Sequence, residues 1–393
     1  MRENFATGKP LIHYEAQELE APVLKKKSKV FFSNLDTLRF FAFFSVFTSH
    51  TFEHFGFPQN SVVEKLVFTL FTLNGQSGPL GVKFFFVLSG FLITYLIFTE
   101  QNNHGYFDVK AFYTRRVLRI WPLYFLAVFF GFVLYPLFSK AYSEPASFVN
   151  QLLFLGNMDM LWNGKPEGVP LGVLWSVSVE EQFYLFWPLL FLALGPKKLS
   201  YYTGAFLLLL VGSICFQFYH YNERMVIYFH SLSCMGSLVI GGILAQLSLY
   251  SSSFLTAVRR LSRPLIVSLY LGGLALIFFI FYSYNHFIFT AYETIIAFFF
   301  GFVVLEQNFA QNSPFKLGRL KIFSYLGKIS YGLYILHPVG VLIADRLFGH
   351  QQFSFTLFTI KFFSAFAFSV FLAYISYNYF EAYFLRLKKV FEK

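Results

Sequence analysis

Arg39 and His50 stand eleven residues apart within the first strongly apolar stretch, Leu35 to His50. At about 100° per helical residue they lie three turns apart and only roughly 20° out of line, so they share a face. A guanidinium and an imidazole in hydrocarbon are costly, and such residues in spanning segments usually mark a working site. Asp36, one turn before Arg39, is spaced to hold that guanidinium in an ion pair along the helix. The plainer reading of His50 is a hydrogen bond between packed helices. Glu53 and His54 follow closely, but no further ligand cluster accompanies them, so no metal is expected.

A second set lies in Leu174-Trp175-Ser176-Val177-Ser178-Val179-Glu180-Glu181-Gln182-Phe183-Tyr184. Ser176, Glu180 and Tyr184 recur every four residues and line one helical face. Glu180 and Glu181 point about 100° apart, so at most one addresses the cavity that His50 faces, leaving the other nearer water or a cation. Two interfacial carboxylates exposed to the outside are the alternative. The third set is Arg115, Arg116 and Arg119, spaced along a helix entering the membrane and suited to bidentate phosphate binding; lipid headgroups at a basic boundary would satisfy them equally. Ser89 sits in a glycine-bearing span, Gly81 to Phe91, that lacks the Gly-x-Ser-x-Gly pattern of a nucleophile elbow. Tyr331 and His337 belong to Ser330 to Pro338, which gives a late span another buried histidine before a proline. Glu381 is expected to pair with Arg386.

The elements that must position these residues follow from composition. Of 393 residues, 56% are hydrophobic, 22% aromatic and 13% charged, and the apolar runs repeatedly reach spanning length, which describes an all-α polytopic membrane protein. About ten spans are expected, near 34 to 53, 80 to 99, 120 to 138, 172 to 194, 201 to 219, 229 to 249, 265 to 283, 287 to 305, 329 to 347 and 356 to 380. The net charge of +11 encodes topology and not nucleic-acid binding: most of the 31 Lys and Arg fall on one side, which places both termini in the cytoplasm. Residues 1 to 29 read as a cytoplasmic tail, 30 to 384 as the membrane domain and 385 to 393 as a short basic cytoplasmic tail. No cleavage pattern follows Lys25 to Lys29, so the first span is expected to be retained. Outside connections over 54 to 79 and 139 to 171 carry Tyr142, Asn157, Trp162 and Asn163, a mixture that suits a sugar or a membrane interface. Cys215 and Cys234 read as small packing residues with no disulfide between them.

In order along the chain, these carriers resemble the acyltransferase-3 family of integral membrane acyltransferases, which includes bacterial O-antigen and other glycan O-acetyltransferases. The likeness covers roughly residues 34 to 384. It rests on the Arg39 to His50 spacing, Phe85-Phe86-Val87-Leu88-Ser89-Gly90-Phe91-Leu92, Arg116-x-x-Arg119, Trp175-Ser176 through Tyr184, and Ser330-Tyr331 through His337-Pro338. The resemblance implies a bacterial cytoplasmic-membrane enzyme with no tightly bound cofactor. Its co-substrate would be cytoplasmic acyl-coenzyme A, with acetyl the favoured acyl group, and its acceptor a hydroxyl of a cell-envelope glycan or glycolipid. By the same likeness His50 is the catalytic candidate, Arg39 its companion, and Arg115, Arg116 and Arg119 the donor-binding element. Glu180 or Glu181 would orient or stabilise the imidazole. Lys83 departs from the acidic or small residue that the family usually carries there, and the absence of an extracytoplasmic hydrolase-like domain implies a membrane unit acting alone or with a partner. The competing class is a proton-coupled secondary transporter or flippase, since buried Arg, His and Glu serve that chemistry too.

Overall fold

Backbone polar groups inside hydrocarbon must be satisfied within the chain, and long runs of Phe, Leu, Val and Ala meet that demand as helices. The computed structural model describes residues 32–73, 75–139, 143–195, 198–280, 285–349 and 354–391, and no strand occurs among them. The tail expected over 1–29, together with Lys140, Tyr142, Lys197 and the last two residues, lies outside the described residues. The principal helices are α1 (Ser33–Phe55), α2 (Val62–Thr72), α3 (Ser77–His104), α4 (Val109–Phe129), α5 (Leu174–Leu194), α6 (Leu199–Tyr219), α7 (Ser231–Tyr250), α8 (Arg263–Ile280), α9 (His286–Phe309), α10 (Ser330–Phe348) and α11 (Phe355–Ile375).

Seven helical segments are long and apolar enough to cross a membrane, or nine if two pairs bent by 91° and 81° each count as one span. The ten expected spans are therefore not reproduced by that measure. The difference lies at α1: its 23 residues have spanning length, but Asp36, Arg39, Thr48, Ser49, His50 and Glu53 dilute its apolar character. The residues that make the helix chemically interesting are those that hide it from a hydropathy count.

Helices in lipid associate through close packing, because the surrounding tails are as apolar as leucine. Glycines set the approach. A Cβ on Gly90 of α3 would overlap the Leu238 carbonyl of α7, and one on Gly241 of α7 would overlap the Val87 carbonyl of α3. Gly81 lies equally close to the Ala42 carbonyl of α1, while Gly327, in the short helix Lys321–Lys328 before α10, abuts the Asp36 backbone. These contacts fix α1, α3 and α7 as one unit and hold the Asp36 turn in place. Gly90→Val is expected to cost at least about 1–3 kcal/mol through overpacking against immovable backbone. A lowered thermal midpoint of the detergent-solubilised chain is the readout, and an unchanged midpoint would contradict the crossing.

Phenylalanines fill the space between α1, α10 and α11. Phe43 and Phe47 are fully buried, Phe47 meets Phe362 and Phe366 of α11, and both α1 rings contact the His337 ring edge-on. α4 and α11 each run into a π-helical segment, Phe130–Leu134 and Ser376–Glu381. Such segments commonly redirect a side chain at a working site. Here the second one carries Glu381 inward, where it accepts a hydrogen bond from Ser376 at 2.8 Å and lies within electrostatic reach of Arg119. This corrects the expected partnership with Arg386: the π turn faces Glu381 toward the bundle.

Candidate active site

Packing of α1 against α10 brings together two histidines that are 287 residues apart in sequence. His50 Nδ1 lies 2.8 Å from His337 Nε2, with the rings stacked at 5.1 Å and 14°. His337 Nδ1 lies 2.7 Å from the Tyr334 carbonyl oxygen. A carbonyl only accepts, so His337 Nδ1 carries a proton and, in the neutral ring, Nε2 is bare. That bare nitrogen accepts from His50 Nδ1, which leaves His50 Nε2 with a free lone pair. The chain of bonds thus selects the His50 tautomer whose outward nitrogen is a base. Phe43 and Phe47 pack edge-on against the His337 ring, which is wholly buried.

Below the histidines, eleven residues back along α1, Arg39 donates from Nη1 to Asp36 Oδ1 at 3.0 Å, the ion pair its spacing predicts. Arg119, Glu180 and Tyr184 lie within its electrostatic reach. Glu180 is held at both oxygens: Ser89 donates to Oε1 at 2.5 Å and Tyr184 to Oε2 at 3.2 Å. Gly90 lets α3 come close enough to α7 to present Ser89 in that position. Glu181 takes the other direction, as a 100° offset requires, and accepts from Trp121 Nε1 of α4 at 2.8 Å. Its Oε1 is buried with no hydrogen-bond partner among the described residues.

The three arginines are not equivalent. Arg115 is committed, with Nη2 on Glu100 at 3.1 Å and Nη1 on the Phe391 carbonyl at 2.9 Å. Arg116 lies between the rings of Phe112 and Tyr184, 5.5 Å from each centroid, and its buried Nε has no partner among the described residues. Arg119 lies between Arg39 and Glu381 in electrostatic terms. Tyr331 ties α10 to α4 by donating to the Ile120 carbonyl at 2.6 Å. Tyr334 joins the two layers: its carbonyl holds His337, its hydroxyl lies 2.7 Å from Ser176 Oγ, and it is within reach of Glu180. Trp175 packs its ring against Tyr228 and Phe229 at 4.8 Å each.

Every site residue singled out in the sequence except Arg115 and Trp175 therefore belongs to one polar seam from His50 to Arg116. Sequence reasoning missed the direct contact of His50 with His337, although two lone histidines in separate apolar runs were its signal. It also missed Lys83 of α3 bonding Glu293 of α9, for which two opposite lone charges in apolar runs were the signal. Among the described residues no group of three or more His, Cys, Asp and Glu is placed to hold a metal ion. Cys215 and Cys234 are both free.

Comparison with known proteins agrees with this arrangement. The profile of the acyltransferase-3 family, described as an acyltransferase domain, matches residues 32–377. The chain is 25% identical over 336 residues to the O-acetyltransferase OatA of Staphylococcus aureus, covering 79% of this chain and 54% of that protein. It is 33% identical over 171 residues to YrhL of Bacillus subtilis, a protein provisionally named as a peptidoglycan O-acetyltransferase, covering 41% of this chain and 24% of the other. A further Staphylococcus aureus protein with a provisional O-acetyltransferase name is 26% identical over 285 residues, 68% of this chain and 47% of its own length. The chain thus spans about half the length, or less, of these relatives. No solved structure matches. Nothing in these likenesses supports a transporter. With the family profile spanning nearly all of the helical region that carries the His50 to Arg116 seam, the chain belongs to the acyltransferase-3 family of membrane proteins.

Proposed function

We propose that this chain is an O-acyltransferase that moves an acyl group, most simply acetyl, from cytoplasmic acyl-coenzyme A to a hydroxyl of a cell-envelope glycan or glycolipid. The names of its relatives support O-acetyl transfer and make peptidoglycan the leading acceptor. In this reading α1 is the first of ten spans, both termini are cytoplasmic, and the protein resides in the bacterial cytoplasmic membrane. The observation that carries the proposal is the His50–His337–Tyr334 chain of bonds, which leaves a bare imidazole nitrogen at one end of a charged seam.

Each group then has a task. Arg116, gripped by two rings with an unpartnered Nε, and Arg119 bind the anionic portion of the donor. The acyl thioester extends along the seam toward His50. His50 Nε2 takes the acceptor hydroxyl proton as that oxygen attacks the thioester carbonyl; the new C–O bond forms, the C–S bond breaks, and the proton passes from His50 to the departing thiolate. Arg39 offsets charge on the tetrahedral oxygen. Glu180, fixed by Ser89 and Tyr184, lies between Arg39 and Arg116 and keeps their like charges from repelling across the seam.

The test is mass spectrometry of envelope glycans from cells expressing the intact chain or no chain, with purified chain in vesicles given acetyl-coenzyme A as the parallel arm. One acetyl increment on a glycan that requires both chain and thioester is the expected result. Identical glycan spectra, with no thioester consumption in vesicles, would refute the proposal.

A further inference from the structure

The two helices that carry the histidine pair are fastened to different neighbours. A Cβ on Gly81 or Gly78 of α3 would meet Ala42 or Ser49 of α1, and Ser45 donates to the Ser77 carbonyl at 2.6 Å, so α1 belongs with α3. A Cβ on Gly340 of α10 would meet Ser369 and the Ala365 carbonyl of α11, so α10 belongs with α11. The His50–His337 bond therefore crosses the boundary between two helix pairs. Phenylalanine rings fill much of that boundary, with Phe44 and Phe47 of α1 against Phe362 and Phe366 of α11. Apolar packing is non-directional, whereas a hydrogen bond tolerates a mismatch of only a few tenths of an ångström.

The boundary is pinned on both sides of the histidines. At the Asp36 end, Gly327 abuts the α1 backbone just before α10 begins. At the far end lies a polar cluster with no part in the acyl-transfer scheme. Lys361 of α11 donates to Asp345 Oδ1 of α10 at 3.0 Å, and the same ammonium lies 5.3 Å from the centroid of the Phe55 ring of α1. Asp345 Oδ2 is 3.7 Å from His54 Nε2, also of α1. His54 and Phe55 follow His50 by little more than one turn, and Asp345 follows His337 by about two. The Lys361 and Asp345 side chains are only 6% and 8% exposed. A buried ion pair is commonly no more stabilising than apolar residues of the same volume, so stability alone is a poor reason for this one. What the pair supplies is a directional contact joining α10, α11 and α1 next to the relay.

We infer that Lys361 and Asp345, with the Phe55 ring, form a positioning clasp that holds α1 on the α10–α11 pair and so keeps His50 Nδ1 within bonding range of His337 Nε2. Its effect on turnover rests on the acyl-transfer reading, but the tautomer it secures is measurable with no acyl donor present.

Solid-state nitrogen NMR of the full chain in lipid, with isotope-labelled histidine rings and the His50 signals identified by their loss in His50→Gln, reads that tautomer at about pH 8, where imidazole is neutral. Wild type is expected to show His50 protonated at Nδ1 alone. Lys361→Met combined with Asp345→Asn removes both charges without stranding either. It is expected to show both tautomers and to lower kcat about tenfold at unchanged KM, within the roughly 10²-fold that a displacement of about 1 Å costs. In a His337→Ala background the same double substitution is expected to cost less than about twofold more, because the contact it protects is already gone; a merely structural pair would cost the same factor in both backgrounds. Phe55→Leu keeps the Lys361–Asp345 bond and removes only the ring on α1, for an expected loss of about threefold in kcat with part of the second tautomer. It decides the matter if the thermal midpoint shows that the double variant does not fold. A single unchanged tautomer in the folded variants, or equal cost in both backgrounds, overturns the clasp. A tautomer that depends on Lys361 in a chain that never transfers acetyl from acetyl-coenzyme A overturns the transfer reading and leaves the clasp standing.

Discussion

His50→Ala is expected to lower kcat for acyl transfer by about 10²–10⁴, the range that a positioned general base supplies. His337→Ala is expected to lower kcat by roughly tenfold to a hundredfold while leaving the KM of both substrates unchanged. The reason is specific. In the proposed mechanism His337 touches no reacting atom: its Nε2 accepts a hydrogen bond from His50 Nδ1–H, which leaves His50 Nε2 as the bare nitrogen. Without it, His50 is free to adopt the other tautomer or to rotate, and the fraction of chains with a competent base falls. His337→Gln separates this role from packing, because the amide oxygen can accept the same proton: it should recover most of the activity that His337→Ala loses. Equal kcat in wild type and both His337 variants would eliminate the relay. Stoichiometric acylation of His50 by acetyl-coenzyme A alone would replace the base by a nucleophile and a ternary complex by two half-reactions.

That relay also marks where sequence stops being sufficient. The helical faces were legible, because a period of 3.6 residues is local: Asp36 with Arg39, the Ser176, Glu180, Tyr184 stripe, and the divergence of Glu180 from Glu181 all follow from spacing along one helix. Partners on different helices were not. Lone buried polar residues demand partners, but ten apolar runs pack in many orders, and nothing in the run around His337 says that it lies against α1 rather than α5. The glycines of the Gly81 to Phe91 span stood out in the sequence without naming the residues that face them, Ala42 of α1 and Leu238 of α7. Charge counting failed in the same manner for the arginines. Three basic residues within five positions read as a single cluster, whereas Glu100 and the Phe391 carbonyl withdraw Arg115 from it.

The arginines should therefore divide by function. Arg116→Ala is expected to raise the KM for the acyl donor about thirtyfold or more, since removing one partner from a desolvated charge contact costs roughly 2 kcal/mol or above. Arg116→Lys should rescue little, because the flat guanidinium between Phe112 and Tyr184 stacks where an ammonium cannot. Arg115→Ala instead releases Glu100 and the carboxy-terminal segment, contacts worth up to about 1 kcal/mol near a surface. It should lower the thermal midpoint slightly and leave donor KM within about threefold. Steady-state kinetics in vesicles with acetyl-coenzyme A varied at fixed acceptor reads both. If Arg115 rather than Arg116 governed donor KM, the phosphate contact would have to lie at the membrane edge beside Glu100, and the seam from Arg116 to His50 would lose its purpose as the path of the thioester. The buried, unpartnered Nε of Arg116 argues for the inner position, because an orphaned donor on a permanently charged group is tolerated where a ligand completes it.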